Sequence, residues 1–124
     1  MHSVSKNLSQ SSVVLSLDLG GTHLKGGVVS SAGKLLYSNT FSSFASFSAE
    51  AILENLFKAV EHLESYTLSH QKKILGVGLG VPGILDSRRG IVYRSPHFKS
   101  FQDFPIRKIL QKKIKYPFVI DNDA

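Results

Sequence analysis

The chain has 124 residues, 42% of them hydrophobic, which is enough for one packed domain and too few for two. Its formal net charge is +6, and the absence of cysteine excludes disulfides and thiolate metal sites from this chain. There is no apolar run near the roughly 20 residues of a membrane helix and no secretory signal, so we expect a cytoplasmic protein that does not bind membranes.

The first predicted elements are three strands. Residues 1–12 are polar and rich in serine, and we predict that they form a disordered leader before a folded unit. Residues 13–19 ("VVLSLDL") alternate as a half-buried strand does, with Asp18 on the face opposite the leucines. Two further strands are predicted at residues 23–30 and 34–41, separated by turns that contain glycine. The pattern predicts an antiparallel meander.

A long helix and two strands follow. Apolar residues recur at helical spacing over residues 48–68, and Ser48 is placed to cap the first turn. Residues 74–81 ("ILGVGLGV") predict a buried strand that enters a turn at Gly83, and residues 90–95 predict a short strand after it. The segments together predict a mixed α/β fold.

The last predicted elements are a second helix, capped by Asp103, and a strand at residues 118–121. The basic residues are scattered along the chain, with Lys72-Lys73 and Arg88-Arg89 in predicted turns and others along this helix. Its predicted outer face carries four basic residues, Arg107, Lys108, Lys112 and Lys115. Because no basic stretch is interleaved with aromatic residues, we interpret the charge as solvated surface and expect no nucleic-acid partner.

One glycine-rich motif can be set aside by its context. Residues 78–83 ("GLGVPG") match G-x-G-x-x-G and follow a strand. A dinucleotide site requires a helix that opens at the third glycine, because the helix N-terminus holds the pyrophosphate. Here a turn and a strand follow instead, so we predict no dinucleotide site.

A second glycine motif, "DLGGT" at residues 18–22, combines a strand carboxylate with a tight turn. Two glycines remove the Cβ atoms that would keep a phosphate from the backbone N–H groups. Asp18 would repel phosphate directly, but it could hold Mg²⁺ through water. The spacing is equally typical of an ordinary Gly-Gly hairpin, and the residues alone do not decide between the two.

The chain ends with "DNDA" after a predicted buried strand. Ligands of α/β proteins bind at the carboxyl ends of such strands, and a carboxylate beside an amide can orient a hydroxyl and accept its proton. An Asx turn that leads into a helix gives the same pattern, and taken alone the pattern favours that turn.

Three motifs in this order closely resemble the ROK family of sugar kinases and sugar-responsive repressors. They are "LSLDLGGTHLKGGVV", "GVGLGVPGILDSRRGIVYRSPHF" and "PFVIDNDA". The resemblance covers residues 13–124. It implies the N-terminal, RNase H-like lobe of a glucokinase-like protein in the actin–hexokinase superfamily.

On the sugar side, the resemblance implies that Asp123 is the general base that takes a proton from the attacking sugar hydroxyl. Asn122 and Gly83 would hydrogen-bond the sugar. The family commonly has asparagine after the proline of the sugar loop, where this chain has His97; a histidine could still bind a hydroxyl, with consequences for which sugar fits. Asp121 stands where glutamate is usual.

On the nucleotide side, the resemblance implies that Gly20, Gly21 and Thr22 receive the phosphates of ATP and that Asp18 holds Mg²⁺. The expected partners are ATP and a hexose, with glucose favoured, and a homodimer is one assembly open to the full-length protein. Polyphosphate remains an alternative donor.

Family members continue past this point into a second lobe. We therefore expect the 124-residue chain to be inactive alone. Two alternatives stay open, a fragment of a sugar-responsive repressor and a sugar-binding module without chemistry.

Overall fold

The structure is a computed structural model that describes residues 11–122. Its elements in chain order are β1 (Ser12–Leu19), β2 (His23–Ser30), β3 (Leu35–Ser42), α1 (Ala49–Ser69), β4 (Lys73–Val81), β5 (Ile84–Asp86), β6 (Ile91–Arg94), β7 (Gln102–Phe104), α2 (Ile106–Leu110) and β8 (Phe118–Asn122). Within residues 11–122, no helix is both long and apolar enough to cross a membrane. Most of the predicted leader, and Asp123, lie outside the described residues.

The main sheet has five strands in the order β3-β2-β1-β4-β8. Strands β1, β2 and β3 pair antiparallel, which confirms the predicted meander, while β4 and β8 run parallel to β1. The sheet is therefore mixed, and the mixed α/β class is confirmed. Parallel pairing of β1, β4 and β8 brings their carboxyl ends to one edge, which is where the candidate site lies.

Helix α1 covers one face of this sheet. It begins as predicted, with the backbone N–H of Ala51 donating to the Ser48 side chain at 3.2 Å. A Cβ built on Gly26 of β2 would lie 3.1 Å from Leu63 of α1, so helix and sheet are closely packed. The side chains that meet there are fully or almost fully buried and include Leu15, Leu17, Leu24, Ile52, Leu56, Leu63, Val77 and Leu79.

Residues 11–122 leave the opposite face of the parallel strands open. Val14, Leu75 and Val119 are 36%, 44% and 67% exposed, and they border a shallow groove of about 290 Å³. Glycines of β4 lie between these side chains and carry none of their own, so the groove is lined by backbone as well as by apolar side chains. Parallel strands are normally covered on both faces.

A second, three-stranded sheet has the order β5-β6-β7 and corrects the predicted element order, which lacked β5 and β7. Asp103 does not cap a helix; it lies in β7 with a φ of 47°. Stacked rings explain the difference, because Phe101 lies between Phe98 and Phe104 at centroid distances of 5.4 and 5.0 Å. Phe98 and Phe101 are fully buried, which holds this segment as a strand beside β6.

Helix α2 is correspondingly short, and one of its basic residues is not on a solvated face. Arg107 is partly buried and donates from Nη2 to the carbonyl of Ser87 at 2.8 Å. Its guanidinium also lies 5.5 Å from the centre of the Phe118 ring. Arg107 therefore connects α2 to the β5–β6 turn and to β8, which corrects its interpretation as solvated surface.

Candidate functional site

The strand register brings the predicted site segments to one edge of the main sheet. Asp18 of β1 is opposite Gly80 of β4, and Gly80 is opposite Asp121 of β8. Register partners in parallel strands point to the same face, so both aspartates project from the open face with only a glycine between them. Two strand spacings of about 4.8 Å place their Cα atoms about 10 Å apart.

The Gly-Gly turn after β1 is closed by tight contacts. The N–H of Gly20 donates to the carbonyl of His23 at 2.9 Å, and a Cβ at Gly20 would lie 3.0 Å from that oxygen. A Cβ at Gly21 would lie 2.9 Å from Cγ of His97. Both glycines therefore stand where a side chain would be crowded. Thr22 beside them is exposed.

Gly83 and Asn122 are 39 positions apart in sequence and are in contact in the fold. The Asn122 amide donates to the carbonyl of Gly83, and the Asn122 N–H donates to Oδ1 of Asp121 at 2.8 Å. Gly83 has a φ of +118°, and a Cβ there would lie 2.2 Å from the carbonyl oxygen of Arg94. Only glycine fits the turn at this position. The hydrogen bond to Asn122 places Gly83 and Asn122, two predicted sugar-binding residues, side by side.

Ser95 lies beside Gly83 and was not among the residues that the sequence singled out. A Cβ at Gly83 would lie 2.8 Å from its Cα, and its side chain is only 3% exposed. Its Oγ has no hydrogen-bond partner within the described part of the chain, although buried hydroxyls nearly always have one. Ser95 is the last residue of the strand predicted at 90–95, but a serine before a proline carries no local sign of burial.

His97 lies beside the Gly-Gly turn. Its exposed ring contacts Gly21, whereas Gly83 and Asn122 form their contact with each other further along the same edge. The ring contributes to a cavity of about 710 Å³ that also includes Thr22. The predicted contact of His97 with a sugar hydroxyl stays a prediction.

The residues at this edge suit one mode of Mg²⁺ binding. Among residues 11–122, no group of three or more His, Cys, Asp or Glu residues could hold a metal ion. A site made wholly by side chains is therefore not formed by this part of the chain. Mg²⁺ commonly takes one or two carboxylates together with water and substrate phosphates, and the exposed Asp18 beside the Gly-Gly turn fits that mode.

A model of the ROK family matches residues 14–124. The chain belongs to the ROK family. Its fold is that of the ROK sugar kinases, which have the actin–hexokinase architecture.

Both sugar kinases and a transcriptional repressor are similar to the chain. It is 31% identical to the xylose repressor of Caldicellulosiruptor bescii over 111 residues, 90% of this chain and 28% of the repressor. The ROK hexokinase of Thermus thermophilus superimposes with a TM-score of 0.77 at 36% identity, over 90% of this chain and 35% of the hexokinase.

A third relative was solved with ligands. The ROK glucokinase of Streptomyces griseus, in complex with glucose and AMPPNP, has a TM-score of 0.74 and 26% identity, over 90% of this chain and 33% of the glucokinase. The chain thus spans about a third of the length of the relatives it matches.

Proposed function

We propose that residues 13–124 are the N-terminal lobe of a glucokinase-like sugar kinase, which transfers the γ-phosphate of ATP to a hexose hydroxyl. The observation that carries the proposal is the register Asp18–Gly80–Asp121, because it brings the Gly-Gly turn and the end of β8 to one edge of one sheet. Phosphoryl transfer depends mainly on positioning and charge neutralisation, and a shared edge supplies positioning.

On the sugar side, the proposal assigns binding to Gly83, Asn122 and Ser95. Asn122 is already held by the Gly83 carbonyl, so one of its polar groups is oriented before a ligand arrives. The Ser95 hydroxyl beside Gly83, which has no hydrogen-bond partner within residues 11–122, would donate to a sugar oxygen. Asp123 directly follows Asn122 and would act as general base on the attacking hydroxyl.

On the phosphate side, the Gly20-Gly21 turn would bind phosphate oxygens through the Gly21 N–H and the Thr22 hydroxyl, while the Gly20 N–H, which donates to the carbonyl of His23, keeps the turn closed. Asp18 would hold Mg²⁺, which neutralises phosphate charge when bound. His97, in contact with Gly21, would donate to the sugar hydroxyl nearest the phosphates. The glucokinase of Streptomyces griseus, solved with glucose and AMPPNP, supports this pair of ligands.

The rest of a longer protein is part of the proposal. Because the relatives are about three times as long as this chain, we propose that phosphoryl transfer requires a second lobe and that the 124-residue chain is inactive alone. ATP-dependent glucose phosphorylation by the isolated chain would contradict this part.

The test of the mechanism uses the longer protein that carries this lobe. Asp123→Asn should lower kcat for glucose phosphorylation by about 10²–10⁴-fold, the range expected when a general base is lost. Asp103→Asn is the matched control, since Asp103 is exposed in β7 and its left-handed backbone tolerates asparagine. Polyphosphate is assayed in parallel as the donor. Unchanged turnover in Asp123→Asn would overturn the catalytic assignment.

A repressor is the second candidate, favoured by the 31% identity to the xylose repressor over 90% of this chain. In that case the lobe would bind a sugar without transferring phosphate. Sequence-specific DNA binding by the longer protein, weakened steeply by salt, together with no kinase activity, would establish this function in place of the first.

A further inference from the structure

Two short spans of the chain converge on the proposed sugar site. The first, residues 83–87, runs from Gly83 through β5, and the second is strand β8, residues 118–122. At the site their ends are joined by the hydrogen bond from the Asn122 amide to the Gly83 carbonyl. A single hydrogen bond fixes the distance between two atoms, but it leaves the two spans free to pivot about that point.

Arg107 joins the other ends of the same two spans. It donates from Nη2 to the carbonyl of Ser87 at 2.8 Å and from Nη1 to the carbonyl of Phe118 at 3.4 Å. The second contact is long for a hydrogen bond, and it is reinforced by the Phe118 ring, whose centre lies 5.5 Å from the guanidinium carbon. Because both spans are held at both ends, they form a closed frame.

The backbone fixes Arg107 against the β5–β6 turn. The N–H of Arg107 donates to the carbonyl of Gly90 at 3.1 Å, and a Cβ at Gly90 would lie 2.1 Å from Cβ of Arg107. The turn is closed by Asp86, whose Oδ1 accepts hydrogen bonds from the N–H groups of Arg88 and Arg89 at 3.0 Å each. The turn and the arginine are therefore packed as one unit.

Only arginine has the donors that this frame requires. A guanidinium is planar and carries donors on separate nitrogens, so it can bind two carbonyls on different segments, whereas a lysine places all its donors on one nitrogen. Within residues 11–122 no carboxylate forms an ion pair with Arg107, and its buried Nε has no hydrogen-bond partner. The two carbonyls and the aromatic ring are thus the contacts that offset the desolvation of this charge.

The frame belongs to the sugar side of the candidate site. Strand β4 lies between β8 and β1, and β1 is the strand that leads into the Gly-Gly turn. The hydrogen bonds of Arg107 go to Ser87, Gly90 and Phe118, which lie in the β5–β6 turn and in β8. Loss of Arg107 should therefore disturb sugar binding and leave nucleotide binding unchanged.

We propose that Arg107 is a positioning residue for sugar binding, because it holds the Gly83 carbonyl and the Asn122 amide in the relative position that a hexose contacts. It acts through the two spans and does not touch the sugar itself. The inference rests on the proposed function, which assigns Gly83 and Asn122 to the sugar.

The first test is steady-state kinetics of the longer protein that carries this lobe. Arg107→Lys and Arg107→Met should each raise the KM for glucose about tenfold, with little change in kcat or in the KM for ATP. Lys108→Met, which removes an exposed lysine from the next position of α2, should leave all of these constants unchanged. A role in overall stability alone would lower the amount of active protein, and hence the apparent kcat, at an unchanged KM. A wild-type KM for glucose in Arg107→Lys, or equal rises for glucose and ATP, would overturn the inference.

A second test does not depend on activity. Hydrogen–deuterium exchange should be faster at residues 83–87 and 118–122 in Arg107→Lys than in the wild-type protein or in Lys108→Met, and unchanged across β1, β2 and β3. Gly90→Ala, which displaces the arginine without removing it, should give the same pattern. Unchanged exchange in the two spans would overturn the inference, whereas a wild-type protein that neither binds nor phosphorylates glucose would contradict the proposed function instead.

Discussion

At the residue scale, the candidate site depends on glycines at positions where another part of the chain lies too close to leave room for a side chain. Gly83 combines a left-handed φ of +118° with a backbone oxygen 2.2 Å from the position of its missing Cβ. The carbonyl of the same residue accepts the hydrogen bond from Asn122. A side chain at Gly83 would therefore disturb the turn. It would also disturb the orientation of Asn122, which is proposed to bind the sugar.

We expect Gly83→Ala to lower the free energy of unfolding by about 3 kcal/mol or more, because left-handed strain and a backbone clash act together. Gly33→Ala is the matched control, since Gly33 has a φ of +88° and nothing within 4 Å of its Cβ position. It should cost only the strain, about 1–2 kcal/mol. Urea denaturation measures both variants, and equal losses would show that the contact with Arg94 is unimportant.

At the element scale, long-range side-chain contacts hold the helices and the end strand in place. Tyr116, just before β8, donates its hydroxyl to the carboxylate of Glu64 on α1, 52 positions earlier. This hydrogen bond, with burial and the negative charge of Glu64, raises the pKa of Tyr116 from 10.0 to about 12. Arg107 connects α2 to the β5–β6 turn and to β8 in a similar way.

The raised pKa predicts a pH dependence of stability. The native state holds the Tyr116 proton more tightly than the unfolded state, so the stabilisation is complete below pH 10 and is lost as the pH rises to about 12. The decrease in the free energy of unfolding over this interval should be smaller in Tyr116→Phe. Denaturation at pH 9, 10, 11 and 12 measures it, and parallel curves for the two proteins would contradict the assignment.

At the scale of the whole molecule, the described residues, 11–122, cover the main sheet on one side only. Val14, Leu75 and Val119 project from strands that in parallel sheets are normally buried on both faces. An exposed apolar surface on unpartnered strands promotes association. The chain spans about a third of its relatives, so another part of a longer protein is one candidate to cover this face.

We expect the 124-residue chain to self-associate and to bind a hydrophobic dye through this face. The double variant Leu75→Thr/Val119→Thr should reduce both, because it replaces apolar surface with residues that suit strands. Ile84→Thr is the matched control: Ile84 is 64% exposed, close to the 67% of Val119, but lies in the second sheet. Sedimentation velocity over a concentration series measures the association, and a monomeric wild-type chain would contradict the prediction.

The amino-acid sequence by itself determined the elements whose pattern is local. The alternation of β1, the helical spacing of α1 and its Ser48 cap were predicted to within a residue or two, because each is encoded by neighbours a few positions apart. The ordered motifs also indicated the ROK family, which the match over residues 14–124 confirmed. The role of Asp123 stays a prediction, since this residue lies outside the described part of the chain.

Only the tertiary structure decided the contacts between distant segments. It brought Asn122 into contact with Gly83, His97 with Gly21 and Arg107 with Ser87. It also showed that Asp103, which was expected to cap a helix, lies in a strand. Such pairings depend on strand register and on which rings fill the core, here the stack centred on Phe101. No periodicity in the sequence records them, because each partner obeys its own local pattern and the distance between them is set by packing.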